Sequence, residues 1–217
     1  MNIFKDTSPL ILTIWASLLV AVLVALALGR WSLAFVSLAT LVLALVPPAL
    51  AFRYSLRLPV PFLLATTLFV FASIFLGEAF NFYERLWWWD LFLHGSSAIG
   101  FGLLGFLFVF MLFEGDRFAA PPSAIAFITF CTGVTVGSVW EIFEFTMDVS
   151  FGLNMQKSGH LDTMGDLIID AVGSGIASLT GYLYLKRNSA GPLGHAISQF
   201  VSLNRRLYEK SRHRLKK

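Results

Sequence analysis

Residues 9–52 read PLILTIWASLLVAVLVALALGRWSLAFVSLATLVLALVPPALAF, and the one charged side chain in the whole stretch is Arg30. A helix needs about 20 predominantly apolar residues to cross a ~30 Å hydrocarbon core, so these residues amount to two crossings back to back. Gly29-Arg30-Trp31 leaves room only for a tight turn between them, which makes the pair a helical hairpin. Working outward from that hairpin (9–29 and 31–52), runs of the same kind follow at 60–77, 88–113, 120–148 and 163–185. The third, between Pro59-Val60-Pro61 and Gly77-Glu78, is barely long enough, and Pro47-Pro48 should kink or stop the second. With 57% apolar residues, 13% charged residues and a mean hydropathy of +0.74, an ordinary soluble domain is excluded. The expected fold is all-α: a polytopic transmembrane bundle of about six helices over residues 1–187. The first run has Lys5 and an Ala25-Leu26-Ala27 stretch like those of cleaved signal peptides, but its apolar core is too long for one and it reads as a retained helix.

Orientation follows from Lys and Arg, which short cytoplasmic loops carry in excess. The chain after Leu185 holds nine of the sixteen, and Arg53 and Arg57 fall on that same side of a six-helix topology. Both termini are therefore expected in the cytoplasm of a bacterial cell, with the chain in the cytoplasmic membrane. Residues 188–217 form a separate basic tail. In it Ile197, Phe200, Val201, Asn204, Leu207 and Tyr208 recur at helical spacing after the Gly191-Pro192-Leu193-Gly194 turn. Arg205, Arg206, Lys210, Arg212, Arg214, Lys216 and Lys217 surround or follow them, as in an amphipathic helix lying on an anionic leaflet. Membrane lipids are the expected partner. The topology signal accounts for the basic charge, so nucleic acid is not expected.

The acids argue for function. Residues 1–185 hold twelve acidic and seven basic side chains, and nine of the chain's thirteen acids gather at or near the outward ends of the helices. A charge inside the bilayer costs about 2.5–3.5 kcal/mol on insertion scales, so an intramembrane acid is a functional hypothesis by default. Asp90 and His94 are four apart; Glu141, Glu144 and Asp148 are three and four apart; Asp162, Asp166 and Asp170 are four apart. Each set shares one helix face, so three antiparallel helices could line one cleft between residues 85 and 175 that opens to the periplasm or exterior. Glu78 and Glu84 are read as loop or helix-end residues.

Arg30, Arg85 and Lys157 are too few on the outward side to pair with all these carboxylates. Either some are protonated or a divalent metal ion binds them, for which carboxylate oxygens and an imidazole nitrogen are suitable ligands. The candidate metal ligands are Asp90, His94, Glu141, Asp166 and Asp170, with Glu144 as acid or base; Asp148 and Asp162 are secondary candidates that fit a solvated interface equally well. Gly95, Gly100, Gly102 and Gly105, Gly133 and Gly137, and Gly173, Ala177 and Gly181 read as close-packing positions. Trp87-Trp88-Trp89 reads as an interfacial anchor. The lone Cys131 excludes an internal disulfide, and no phosphate loop, nucleophile elbow or HExxH is present.

The arrangement resembles the VanZ-like integral membrane proteins and, more closely, the YjdF-like bacterial membrane proteins. Asp90-Leu-Phe-Leu-His94, Glu141-Ile-Phe-Glu144 and Asp166-Leu-Ile-Ile-Asp170-Ala-Val-Gly173 match three elements of the VanZ-like pattern in order. Glu144 and Asp170 stand where that pattern has amides, and Asp162-Thr163-Met164 looks like the YjdF-like variant. The resemblance covers residues 85–185. VanZ is linked to low-level glycopeptide resistance, so what it implies is a role in the cell envelope.

Three classes of function fit these residues. One is a metal-dependent, membrane-embedded hydrolase or transferase acting on a lipid or lipid-linked envelope substrate. A second is a proton- or divalent-cation-coupled transporter, although such sites usually lie near the midplane within repeated halves, and no repeat is visible. The third is a non-catalytic envelope protein that binds a cationic ligand. The sequence leaves the oligomeric state open.

Overall fold

The computed structural model describes residues 7–113, 120–157, 159–187 and 191–206. Among these there is no strand. The helices are α1 (Pro9–Ala27), α2 (Trp31–Arg53), α3 (Val60–Val70) with a π-helical continuation (Phe71–Ala79), α4 (Phe82–Arg85), α5 (Trp89–Phe113), α6 (Pro122–Phe151), α7 (His160–Arg187) and α8 (Gly191–Leu203). Six spans are long and apolar enough to cross a membrane: α1, α2, Val60–Ala79, α5, α6 and α7. Ser8 opens α1 by accepting from the Ile11 N–H, and Gly29, at φ +65°, makes the turn into α2.

Two expectations need correction. Of the kink or stop expected at Pro47-Pro48, the stop does not occur: α2 runs through both prolines to Arg53. The third crossing reaches Ala79 because its last nine residues are π-helical, a geometry that no periodicity announces. Its Gly77 packs on the Tyr83 ring so closely that a Cβ there would overlap it.

The chain forms two compact units, Met1–Trp89 and Asp90–Lys217. In the first, Ile11, Trp15, Ala44 and Leu63 make the core. Aromatic side chains then run from Phe71 through Phe75, Phe80 and Phe82 to Trp89. The tryptophan triplet is divided: Trp87 and Trp88 are exposed, while Trp89 is buried against Phe82, so only two of the three are placed as an anchor would be.

In the second unit α5, α6 and α7 pack through small residues. A Cβ on Gly173 would lie 2.6 Å from the Gly95 carbonyl oxygen, one on Gly102 would lie 2.7 Å from the Ala177 Cβ, and one on Gly181 would lie 2.5 Å from the Phe106 ring. Gly105 abuts Thr132, whereas Gly100 meets nothing within 4 Å and has no packing role. The far end of this unit is sealed by Phe106, Leu107, Val109, Ile125 and Ile197, with Tyr184, Phe200 and Val201 against them.

The apolar face of α8 is thus spent on protein. Ile197 is buried and Asn204 donates back to the Phe200 carbonyl, while Arg205 and Arg206 are exposed. The expected turn at Gly191–Gly194 is instead the first turn of α8, entered at Gly191 with φ +60°. Leu207, Tyr208, Lys210, Arg212, Arg214, Lys216 and Lys217 lie outside the described residues.

The pattern of burial is inverted relative to a protein in water. Phe101, Phe108, Phe127, Ile142, Val172 and Leu179 are exposed, while Ser37, Thr40, Thr67, Thr129, His94, Glu141, Asp166, Asp170 and Ser174 are buried. Apolar outside and polar inside is what a hydrocarbon solvent selects.

Candidate metal centre

His94 is the hub of the polar interior. It sits a little over one turn into α5, 6% exposed, with both ring nitrogens turned toward carboxylates. Nδ1 lies 3.2 Å from Asp170 Oδ2 on α7. Nε2 lies 3.5 Å from Glu141 Oε1 on α6 and 3.9 Å from Asp90 Oδ1 one turn earlier on its own helix. An Nδ1–H donated to Asp170 leaves the Nε2 lone pair facing Glu141 and Asp90, as when a carboxylate behind the ring orients a ligating histidine.

Close packing makes that reach possible. A Cβ on Gly137 would overlap Asp170 Oδ2, the oxygen that faces His94, so the bare backbone of α6 admits the α7 carboxylate. Four residues further along α7 and back along α6, Ser174 sits against Gly133 in the same way. Both Gly133 and Gly137 therefore serve the polar interior as well as helix approach.

The carboxylates are buried and poorly satisfied. Glu141 is 4% exposed, Asp166 2% and Asp170 fully buried. Neither Glu141 oxygen has a hydrogen-bond partner, nor has Asp170 Oδ1, nor the Ser174 hydroxyl beneath it. The Thr163 hydroxyl accepts from Gln156 Nε2. Leaving a buried acceptor unmade costs about 1–3 kcal/mol, and more if it is charged, so these atoms call for a partner.

One ligand atom each from His94, Glu141 and Asp166 fall within 4.8 Å of one another, and so do one each from Asp90, Asp162 and Asp166. Donors that share an ion at about 2.0–2.6 Å are separated by just such distances. Of the five candidate ligands, the structure therefore gathers Asp90, His94, Glu141 and Asp166 by their donor atoms, while Asp170 reaches the group through the other face of the imidazole.

The remaining acids divide. Glu144 is buried on α6 and accepts from Trp140 Nε1 at 2.9 Å; it belongs to neither three-residue group. Asp148 organises the α6–α7 connection, accepting from the Met155 and Gln156 N–H groups at 2.7 and 2.9 Å. Asp162 accepts from the Lys157 N–H at 3.0 Å and also joins Asp90 and Asp166. Glu78 and Glu84 are exposed in the first unit. The sequence reading passed over Ser174 and Trp140, though each was signalled by spacing: Ser174 is one turn beyond Asp170, and Trp140 one turn before Glu144.

All of this lies at one end of the second unit. Taking 1.5 Å per residue, Glu141 is about 15 Å from the end of α6 at Phe151, and Asp166 about 9 Å from the start of α7 at His160. A family model described as "Predicted membrane protein (DUF2238)" matches residues 11–187, which takes in all of the spans but the first two residues of α1, and the whole acidic group. The chain belongs to this DUF2238 family. An uncharacterized protein of Thermotoga maritima is 37% identical over 113 residues, half of this chain and 57% of that protein. No solved structure matches. Membership of DUF2238 agrees with an integral membrane protein of six apolar helices.

Proposed function

We propose that this DUF2238 protein is a membrane-embedded hydrolase or transferase whose His94, Glu141 and Asp166 hold a catalytic divalent cation. The observation that carries this reading is the orphaned, buried Glu141 carboxylate facing the Nε2 edge of a histidine that Asp170 orients from behind. Asp170 is a positioning residue in this scheme. Asp90 lies 3.9 Å from the same imidazole nitrogen, and Glu144, held through one oxygen by Trp140, keeps its second oxygen for proton exchange as general acid or base. The cation supplies a Lewis acid for a water or a phosphoryl oxygen.

The substrate class is a lipid or lipid-linked intermediate of the cell envelope. The site's place at one end of apolar helices supports it, as does the resemblance of the three acidic elements to VanZ-like and YjdF-like proteins. The excess of Lys and Arg after Leu185 supports an acidic end outside the bacterial cytoplasmic membrane and termini inside. The crowding of the acids toward one end favours this reading over transport, which needs access from both sides.

The test is elemental mass spectrometry on detergent-purified wild type and Asp166→Ala, followed by hydrolysis of a labelled polyprenyl phosphate or diphosphate in proteoliposomes. Stoichiometric metal lost in the variant, together with metal-dependent turnover, is expected. Metal that enters vesicles without turnover would replace the enzyme with a transporter, and metal content unaffected by Asp166→Ala would remove the centre from these residues.

A further inference from the structure

We propose that the acidic end of the second unit holds two divalent cations side by side, with the Asp166 carboxylate shared between them. This rests on the metal-dependent reading above and extends it. His94, Glu141 and Asp166 make the inner position; Asp90, Asp162 and Asp166 make the outer one. The inner three are all buried, whereas Asp90 and Asp162 are half-buried, so the two positions form a gradient from the helix interface toward the end of the bundle.

Three observations converge. Asp166 has two oxygens and is 2% exposed, and it falls within 4.8 Å of the donor atoms of both groups. One carboxylate that bridges two ions sets them about 3.5–4 Å apart, the spacing of two-metal sites. The unpartnered, buried Glu141 aimed at His94 marks the place as built for a ligand rather than as a chance gathering of acids.

Charge is the third. Asp90, Glu141, Glu144, Asp162, Asp166 and Asp170 carry six negative charges if ionised. The imidazole is neutral when it ligates, and the Lys157 ammonium, whose charge acts on Asp90, offsets one. Two divalent cations cancel four of the five that remain; one would leave three standing in a low-dielectric setting, where uncompensated charge is most costly.

The full-length protein in nanodiscs would be equilibrated with Mn2+ alone, the bound metal counted, and the electron paramagnetic resonance spectrum recorded. Two Mn2+ per chain with an exchange-coupled spectrum is the expected result. Asp162→Asn keeps an oxygen for the Lys157 N–H and should lower the count from two to one with loss of coupling; Asp90→Asn should do the same. Thermal melting of each variant confirms that it is folded, and either variant suffices if the other is not. One uncoupled Mn2+ in the wild type overturns the pair but leaves the single-cation centre standing. No Mn2+ at all overturns both.

Discussion

Among the described residues of Met1–Trp89 the buried polar groups are neutral: Ser37 and Thr40 each donate one turn back to the Leu33 and Val36 carbonyls, and Thr67 Oγ1 and Trp15 Nε1 make no hydrogen bond. In Asp90–Lys217 the unpartnered atoms include both oxygens of Glu141 and one of Asp170. An orphaned hydroxyl costs about 1–3 kcal/mol, which a bundle can absorb; an orphaned carboxylate costs more, and three helices converge around this one. The first unit therefore solves a packing problem in lipid, while the second stores a chemical one.

The sharpest way to break the contrast is His94→Ala. It removes the nitrogen ligand and should weaken metal binding by more than about 100-fold in equilibrium dialysis, because loss of an orienting partner alone typically costs about 10–100-fold. An unchanged affinity would make the second unit's polar interior structural, like the first's. Asp170→Asn tests that orienting role directly. A loss of about 10–100-fold is expected, with the melting temperature little changed, since the amide still fits beside Gly137.

Packing gives the next smaller effect. Gly173→Val would drive a side chain into the Gly95 carbonyl and the Ala98 methyl, and should cost about 1–3 kcal/mol in chemical unfolding from mixed micelles. Gly100→Ala, on the same helix pair but facing open space, should gain or lose less than about 1 kcal/mol. Should the two behave alike, close approach of α5 and α7 is not what assembles the centre.

The smallest effect is expected in the first unit. Thr67→Val replaces a fully buried hydroxyl that lacks a described partner by a methyl of nearly the same shape, so stability should stay level or rise slightly and metal content should not move. A drop in bound metal would show that the first unit reaches the chemistry after all.

The crossings were legible because length and apolarity suffice to define them, and helix ends fell within about three residues of the expected places. The acids were legible because spacings of three and four put them on one face. What spacing cannot give is the partner across the interface. Asp170 looked like a ligand equal to Asp166, yet it faces the opposite nitrogen of His94, a distinction set by Gly137 on another helix. Asp148 shares a face with Glu141 and Glu144, but it lies beside the turn at Gly152 and bonds the loop backbone. The π-helical residues Phe71–Ala79 were invisible for a related reason: their apolar composition is compatible with either winding.

The connection from α6 to α7 has a further consequence. Asp148 bonds the Met155 and Gln156 amides, Gly152 turns at φ +67°, Gln156 reaches Thr163, and Lys157 is tied to Asp162. These ties fix where α7 begins, and with it the phase of every side chain that follows. A helix advances roughly 100° per residue, so adding or deleting one residue in this loop would wind Asp166 and Asp170 away from His94 while leaving the hydropathy profile intact. The loop works as a clock hand for the buried acids, and its length is as much a part of the site as the carboxylates it times.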